Sequence, residues 1–323
     1  MVNSGVANAA TGIRGEQDAR ATAAEAAGLL VLSPEQVLVL STGVIGKPLP
    51  LGRVLAGLAA AAASLSPRGG LAAAQAVLTT DTRTKEASVA GDGFVVGGLA
   101  KGSGMIHPDL ATMLAIVTTD YPLRPGEALE LLRPAVEESF NSISVDGECS
   151  TNDTVCLLAN GASGVGRTAG RDREFAEALR AVCADLAAQV VADGEGASLT
   201  AEIVVTGAAS SGEARAVARR VATSALVKTA LFGRDANWGR VLAAAGSAPW
   251  NGGYAQLDPG RVSLRYDGVA VLERGAPLGA EPAPVAGARC TIELDLGLGD
   301  GTASYLTTDL SYDYVRLNAE YRT

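Results

Sequence analysis

Histidine is nearly absent: His107 is the single imidazole in 323 residues. A serine–histidine or cysteine–histidine nucleophile would have to recruit it, and a histidine-rich metal site cannot be assembled. If the chain is an enzyme, it needs another general base. Aromatic residues (4%) and charged residues (19%) are also sparse, the latter below the usual quarter or so. Alanine and 39 glycines take their place while hydrophobic residues reach 48%. The expected interior is therefore built from small, closely packed side chains. The net charge is −9 with no dense lysine–arginine run, which argues against a nucleic-acid partner. The nearest basic group, Arg215, Arg219 and Arg220, lies opposite Val217 and Val221 at helical spacing and reads as a solvated face.

None of the four cysteines (Cys149, Cys156, Cys183 and Cys290) forms a C-x-x-C pair. Neither a zinc knuckle nor a disulfide framework is indicated, and a cytoplasmic location is expected. Cys183 lies on an apolar helix face and reads as a core residue. No window reaches the roughly 18 apolar residues of a membrane span; the small-residue stretch from Val54 to Leu65 is too short. The amino terminus shows no basic region followed by an apolar one, so it is not a signal peptide.

Periodicity supplies the elements. Apolar spacing predicts helices over 18–30, over 126–140 with Pro134 as a possible interruption, and over 212–226. The clearest begins near Asp172, read as its N-cap, and puts Phe175, Leu179, Val182, Leu186 and Val190 on one stripe before Gly194. Short apolar runs predict strands at 37–40, 76–79, 114–117, 155–158, 202–205, 262–265 and 290–294. Their alternation predicts a layered α/β fold, with helices covering packed sheets. The Gly- and Pro-rich stretch 252–287 reads as surface loops.

Chemistry concentrates in Lys101-Gly102-Ser103-Gly104-Met105-Ile106-His107-Pro108-Asp109-Leu110-Ala111-Thr112-Met113-Leu114. Two readings stand. One is a glycine-relaxed turn entering a strand. The other is a self-cleavage site. Scission before Thr112 would give its weakly nucleophilic hydroxyl an α-amine of its own, with a reference pKa of about 7.7–8.0. Such an amine can act as the base, and no histidine is required. Oxyanion donors would still be needed. The turn Ser41-Thr42-Gly43-Val44-Ile45-Gly46, which follows an apolar run, is a candidate source.

Lys101 to Ile106, with Pro108 and Ala111-Thr112-Met113-Leu114, resembles the cleavage motif of the ornithine acetyltransferase (glutamate N-acetyltransferase) family. Further motifs follow in the family's order across the whole chain: Asn3-Ser4-Gly5, Ser41 to Gly46, Thr79-Thr80-Asp81-Thr82 with Lys85-Glu86, Ser150-Thr151-Asn152-Asp153-Thr154, Asp193-Gly194-Glu195-Gly196, Val227-Lys228-Thr229-Ala230, Asn237-Trp238-Gly239-Arg240, and the ending Asn318 to Thr323.

The resemblance implies a self-cleaving αββα-type fold. An amino-terminal chain of residues 1–111 would separate from a carboxy-terminal chain of residues 112–323, with two copies of each in the assembly. It implies that Thr112 is the nucleophile, first cutting after Ala111 and then carrying acetyl. Thr42 and Gly43 would stabilise the oxyanion, and Thr79, Lys101, Glu195, Asn318 and Thr323 would contact substrate. The implied reaction moves acetyl from N2-acetyl-L-ornithine to L-glutamate, with no metal or organic cofactor; whether acetyl-CoA also serves as donor stays open. Lys101 is the expected partner of a substrate carboxylate and Glu195 of an ammonium. His107 has no role in the family pattern and reads as a tolerated loop residue.

Three departures stand out. Family members begin several dozen residues before Asn3-Ser4-Gly5, so the first chain is expected to be shortened. Ala10 replaces an expected cysteine, and the hairpin between Thr82 and Lys101 is trimmed. The alternatives are an amidohydrolase or aminopeptidase of the same fold, and an uncleaved remnant.

Overall fold

The computed structural model describes residues 1–107, 113–279 and 285–320. At the amino terminus the strands Val2–Val6 and Leu40–Val44 pair in parallel, Gly5 opposite Gly43. Parallel neighbours need a crossover, and the helix Gly12–Leu30 supplies it, starting a turn and a half before the predicted segment. The strand predicted at 37–40 thus begins where that prediction ends. The strand predicted at 76–79 does not form. Leu71-Ala72-Ala73-Ala74-Gln75 is made of strong helix formers, and the helix Gly70–Ala76 takes up its first residue.

A four-stranded sheet follows, in the order Lys85–Gly91, Phe94–Lys101, Leu114–Thr119, Thr154–Ala159; the first three strands are antiparallel neighbours and the last pair is parallel. The helix Ala169–Ala192 covers one face. Phe175, Leu179, Val182, Leu186 and Val190 are all fully buried, as their spacing predicted. Each such side chain contributes roughly 1.5–3 kcal/mol. Three rings cluster in this core, Tyr121 stacked on Phe175 with centroids 4.8 Å apart and Phe94 tilted against both. The cap differs from expectation. Thr168, not Asp172, accepts the Arg171 N–H at 3.2 Å, and Asp172 instead takes the Tyr121 hydroxyl at 2.6 Å and Arg167 Nε at 2.9 Å. The helix Glu127–Glu138 runs through Pro134, burying Leu132 and Val136 while Leu129 is exposed.

The larger sheet has seven strands, in the order Ala276–Pro277, Val269–Glu273, Ser263–Tyr266, Arg289–Asp295, Thr200–Ala208, Gly301–Thr308, Ile143–Ser144. The predicted 252–287 loop region therefore gives three strands to this sheet, and a fourth, Gly253–Tyr254, pairs with Pro249–Trp250. The helix Ser211–Ala222 packs on Thr200–Ala208 and Gly301–Thr308, with Trp238–Ala245 against its outer side. The helix predicted over 212–226 breaks at Thr223. Ser224 then caps a second helix, Ala225–Phe232, which carries Lys228 inward.

The two layered halves meet at Ile143–Ser144: it is an edge of the seven-stranded sheet, yet Ile143 and Val145 are buried in the core under Ala169–Ala192. The fold is layered α/β, helices against sheets, and each half has its own core. The arginine group is not a solvated face. Arg215 Nη2 donates to the carbonyls of Glu137 at 2.9 Å and Asn141 at 2.7 Å, and Arg219 Nε donates to His107 Nε2 at 3.0 Å. All four cysteines are free, with Cys183 fully buried. No described helix is long and apolar enough to cross a membrane.

Candidate active site

Two buried lysines and two buried aspartates form the floor of the site. Lys85, fully buried, donates to Asp81 Oδ1 at 2.7 Å and to Asp193 Oδ2 at 2.6 Å. Asp81 also accepts the Gly102 N–H at 2.6 Å and the Thr79 N–H at 3.2 Å, and stands 3.6 Å from Lys101 Nζ. Burial works against its charge, but Lys101, Lys85 and the Gly102 amide outweigh it and hold the Asp81 carboxyl below its ordinary pKa. The Lys101 ammonium is moved down by burial, which Asp81 only partly offsets. Charges taken this far from water persist only when paired and hydrogen-bonded.

Lys101 Nζ donates to Thr79 Oγ1 at 2.8 Å and to Thr42 Oγ1 at 3.3 Å. The strand Leu40–Val44, which carries Thr42, is fixed from the other side by the amino-terminal strand. Gly43 has φ +127°, and a Cβ there would lie 2.2 Å from the Gly5 carbonyl carbon. Only glycine fits at Gly43, which explains why the Asn3-Ser4-Gly5 and Ser41-Thr42-Gly43 motifs occur together.

Opposite Lys101 the site is acidic. Glu195 follows Asp193 by two residues; its N–H donates to the Ser103 carbonyl at 2.8 Å, and its carboxylate accepts Asn318 Nδ2 at 3.0 Å. Asp146 accepts the N–H groups of Met105 at 2.6 Å and Ile106 at 2.9 Å, securing Met105 in the left-handed region at φ +57°. Burial pushes the Asp146 carboxyl up despite those amides. Gly104 leaves room for the Glu195 carboxylate: a Cβ there would lie 2.3 Å from Oε2. Gly104→Ala is expected to swing that carboxylate away, raising KM for an amine-bearing substrate about tenfold, worth about 1.4 kcal/mol. The melting temperature should change little, because only the end of a flexible side chain must move. Steady-state kinetics beside a thermal melt checks this.

Thr42, Gly43, Thr79, Lys101, Glu195 and Asn318 line one cavity, together with Asp146, Glu148, Tyr314 and Asn152. Ala111, Thr112 and Thr323 lie outside the described residues. Met113, covalently next to Thr112, donates its N–H to Asp153 Oδ1 at 2.6 Å and accepts from Thr154 N at 3.0 Å. Its neighbour Leu114 pairs with Lys101 across the sheet.

The ArgJ family model matches residues 1–323. This chain belongs to the ArgJ family. It is 48% identical to the arginine biosynthesis bifunctional protein ArgJ of Symbiobacterium thermophilum, over all of this chain and 82% of that protein. It is 46% identical to the ArgJ of Thermobifida fusca, with the same coverage. A crystal structure of the Bacillus halodurans ArgJ matches with a TM-score of 0.58 at 36% identity, covering 64% of this chain and 98% of that one.

As an ArgJ-family enzyme, the chain gathers six of its sequence-predicted site residues into one cavity from well-separated segments. Lys101, expected to meet a substrate carboxylate, lines the cavity and is at the same time buried against Thr79, Thr42 and Asp81. His107, expected as a tolerated loop residue, has defined partners. It is buried, with Nδ1 3.3 Å from Ser144 Oγ and Nε2 accepting from Arg219, which ties the helix Ser211–Ala222 to the site's glycine-rich turn. Sequence reasoning gave no role to Asp81, Asp193 or Asp153, although each stands inside a recognised motif. Asp146 had no signal beyond the Asp146-Gly147 turn dipeptide.

Proposed function

We propose that the chain cuts itself between Ala111 and Thr112 and uses Thr112 to carry acetyl from N2-acetylornithine to glutamate, in arginine biosynthesis. The observation that carries this reading is the cavity. It unites Thr42 and Gly43 of a strand, a cationic Lys101 and an acidic Glu195–Asp146 wall with Asn152, whose neighbour Asp153 holds Met113, the residue that follows the proposed nucleophile. Thr42 Oγ1 and the Gly43 N–H are the donors for the oxyanion. Lys101 holds Thr42 in place and adds positive charge behind that donor. Glu195, braced by Asn318, suits the ammonium of an ornithine side chain. The Thr112 amine takes the hydroxyl proton as Oγ attacks the acetamide carbon. It returns a proton to the departing ornithine nitrogen, and glutamate then attacks the acetyl ester.

The names of the relatives support the pathway. Matched over 98% of its own length and 64% of this chain, the Bacillus halodurans chain is about 211 residues long, beside 212 for residues 112–323. That agreement in size supports two separable chains.

The test is a trapping experiment. Protein incubated with N2-acetylornithine alone should release about one ornithine per site and gain one acetyl group on a fragment beginning Thr112-Met113-Leu114. Glutamate should then remove the acetyl as N-acetylglutamate. Continuous ornithine release without glutamate would mark a hydrolase instead, and no release at all would reject the reading.

A further inference from the structure

Charge is balanced on the floor of the cavity and unbalanced on its acidic wall. On the floor, Asp81 and Asp193 share Lys85. On the wall, Asp146 and Glu195 are half-buried, and among the described residues neither forms an ion pair with a lysine or arginine. Asp146 Oδ2 accepts the Met105 N–H at 2.6 Å, and Oδ1 accepts those of Ile106 at 2.9 Å and Glu148 at 3.2 Å. Glu195 accepts from Asn318. Tyr314, on the same wall, feels the excess: burial pushes its phenol up, and Asp146, Glu195 and Glu148 push it further. The cation that acts on Asp146 from behind is Lys228, which does not line the cavity. Its ammonium is taken up by Thr307 Oγ1 and Thr308 Oγ1, both at 3.1 Å, and by the Thr308 carbonyl. No three acidic, histidine or cysteine side chains among the described residues converge closely enough to hold a metal ion. The missing positive charge therefore fits an organic cation.

We propose that Asp146 is a specificity-determining residue: with Glu195 it receives the distal ammonium of the acetyl donor, so that the cavity selects a diamino acid over a neutral one of the same length. This inference rests on the donor class proposed above and not on the chemistry of Thr112. A carboxylate offers about four lone-pair sites. Backbone N–H groups take three on Asp146, and the fourth is left to the Tyr314 hydroxyl, which can turn aside for a stronger, charged donor. Three fixed donors also hold the charge in place before the ligand arrives, so little order is lost on binding. Burial and the neighbouring Glu195 push the Asp146 carboxyl up. A ligand ammonium works the other way and favours the ionised form.

The experiment is calorimetric titration of wild type, Asp146→Asn and Glu195→Gln with L-ornithine and with L-norvaline, which has the same carbon chain and no distal ammonium. Wild type should prefer ornithine on the order of 100-fold, about tenfold from each charge-assisted contact. Asp146→Asn keeps an accepting oxygen for the turn and should cut that preference about tenfold. Glu195→Gln should keep a preference of about tenfold, supplied by Asp146. A folded Asp146→Asn protein with the wild-type preference overturns the inference. So does one that weakens both ligands equally, because Asp146 would then only shape the turn at Met105. A Glu195→Gln protein with no preference overturns it as well, and that result holds even if Asp146→Asn does not fold. A wild type that binds ornithine no better than norvaline overturns this inference and the donor class together. One that prefers ornithine but transfers no acetyl rejects only the function proposed above.

Discussion

Thr112→Ala is expected to purify as one uncut chain of 32.5 kDa with no acetyl transfer, whereas wild type is expected to separate into residues 1–111 and 112–323. The substitution removes a hydroxyl and a methyl at a single position, so folding should survive. Both events that need the hydroxyl should fail together. Scission requires Oγ to attack the Ala111 carbonyl, and transfer requires the amine that scission releases. The one histidine is committed to Arg219 and Ser144 and is not a ready replacement base. The loss in turnover should be on the order of 10³-fold or more, as when other activated nucleophiles are removed. Intact mass, amino-terminal sequencing and ornithine release read the result. A Thr112→Ala protein that still cuts at this bond, or still transfers acetyl, would remove Thr112 from the mechanism.

Lys85→Met should produce the largest loss of stability. Methionine matches lysine in length but removes the charge that Asp81 and Asp193 share. Both carboxylates are almost completely buried, and Asp193 would keep only Thr82, with Arg83 3.8 Å away. Breaking a buried pair by removing one partner costs about 3–5 kcal/mol, a large part of the margin of an ordinary domain. Urea unfolding should show the midpoint falling with little change in slope. Activity should fall as well, because Asp81 orders Gly102 and Lys101 while Asp193 anchors the loop that presents Glu195. The pH dependence has a definite sign. Asp81 titrates below its unfolded value of 3.8, so its stabilising contribution is present above that pH and is lost as the pH falls through the folded value. Wild type should therefore weaken in acid. A loss below about 1 kcal/mol in Lys85→Met would mean that water reaches the network.

Much of the fold was legible because its signals are local. The stripe from Phe175 to Val190 needs only its 3.6-residue period to identify a helix that buries one face, and the apolar runs at 114–117, 155–158, 202–205 and 290–294 all became strands. The errors fall where a local preference met a competing one. Ala76 to Thr79 looked like a strand but follows a strong helix-forming run. Asp172 is a good capping residue, yet Thr168 reached the free amide one turn earlier and left Asp172 to Tyr121 and Arg167. The strands Lys85–Gly91 and Gly301–Thr308 carry no continuous apolar run, because Glu86, Ser88, Thr302 and Ser304 interrupt it.

By itself, the sequence left a single histidine for any chemistry that needs a base, offered Thr112 as a residue that could bring its own amine after scission, and gave the order of the short motifs. Those follow from residue types and order, which the chain carries before it folds. The tertiary structure decided how charge is shared. It buried Lys101 against Thr42, paired Lys85 with two aspartates about 110 residues apart and brought Asp146 to the cavity wall. Charge is read through burial and distance, and neither exists until the two cores have packed against the helices that bring these segments together.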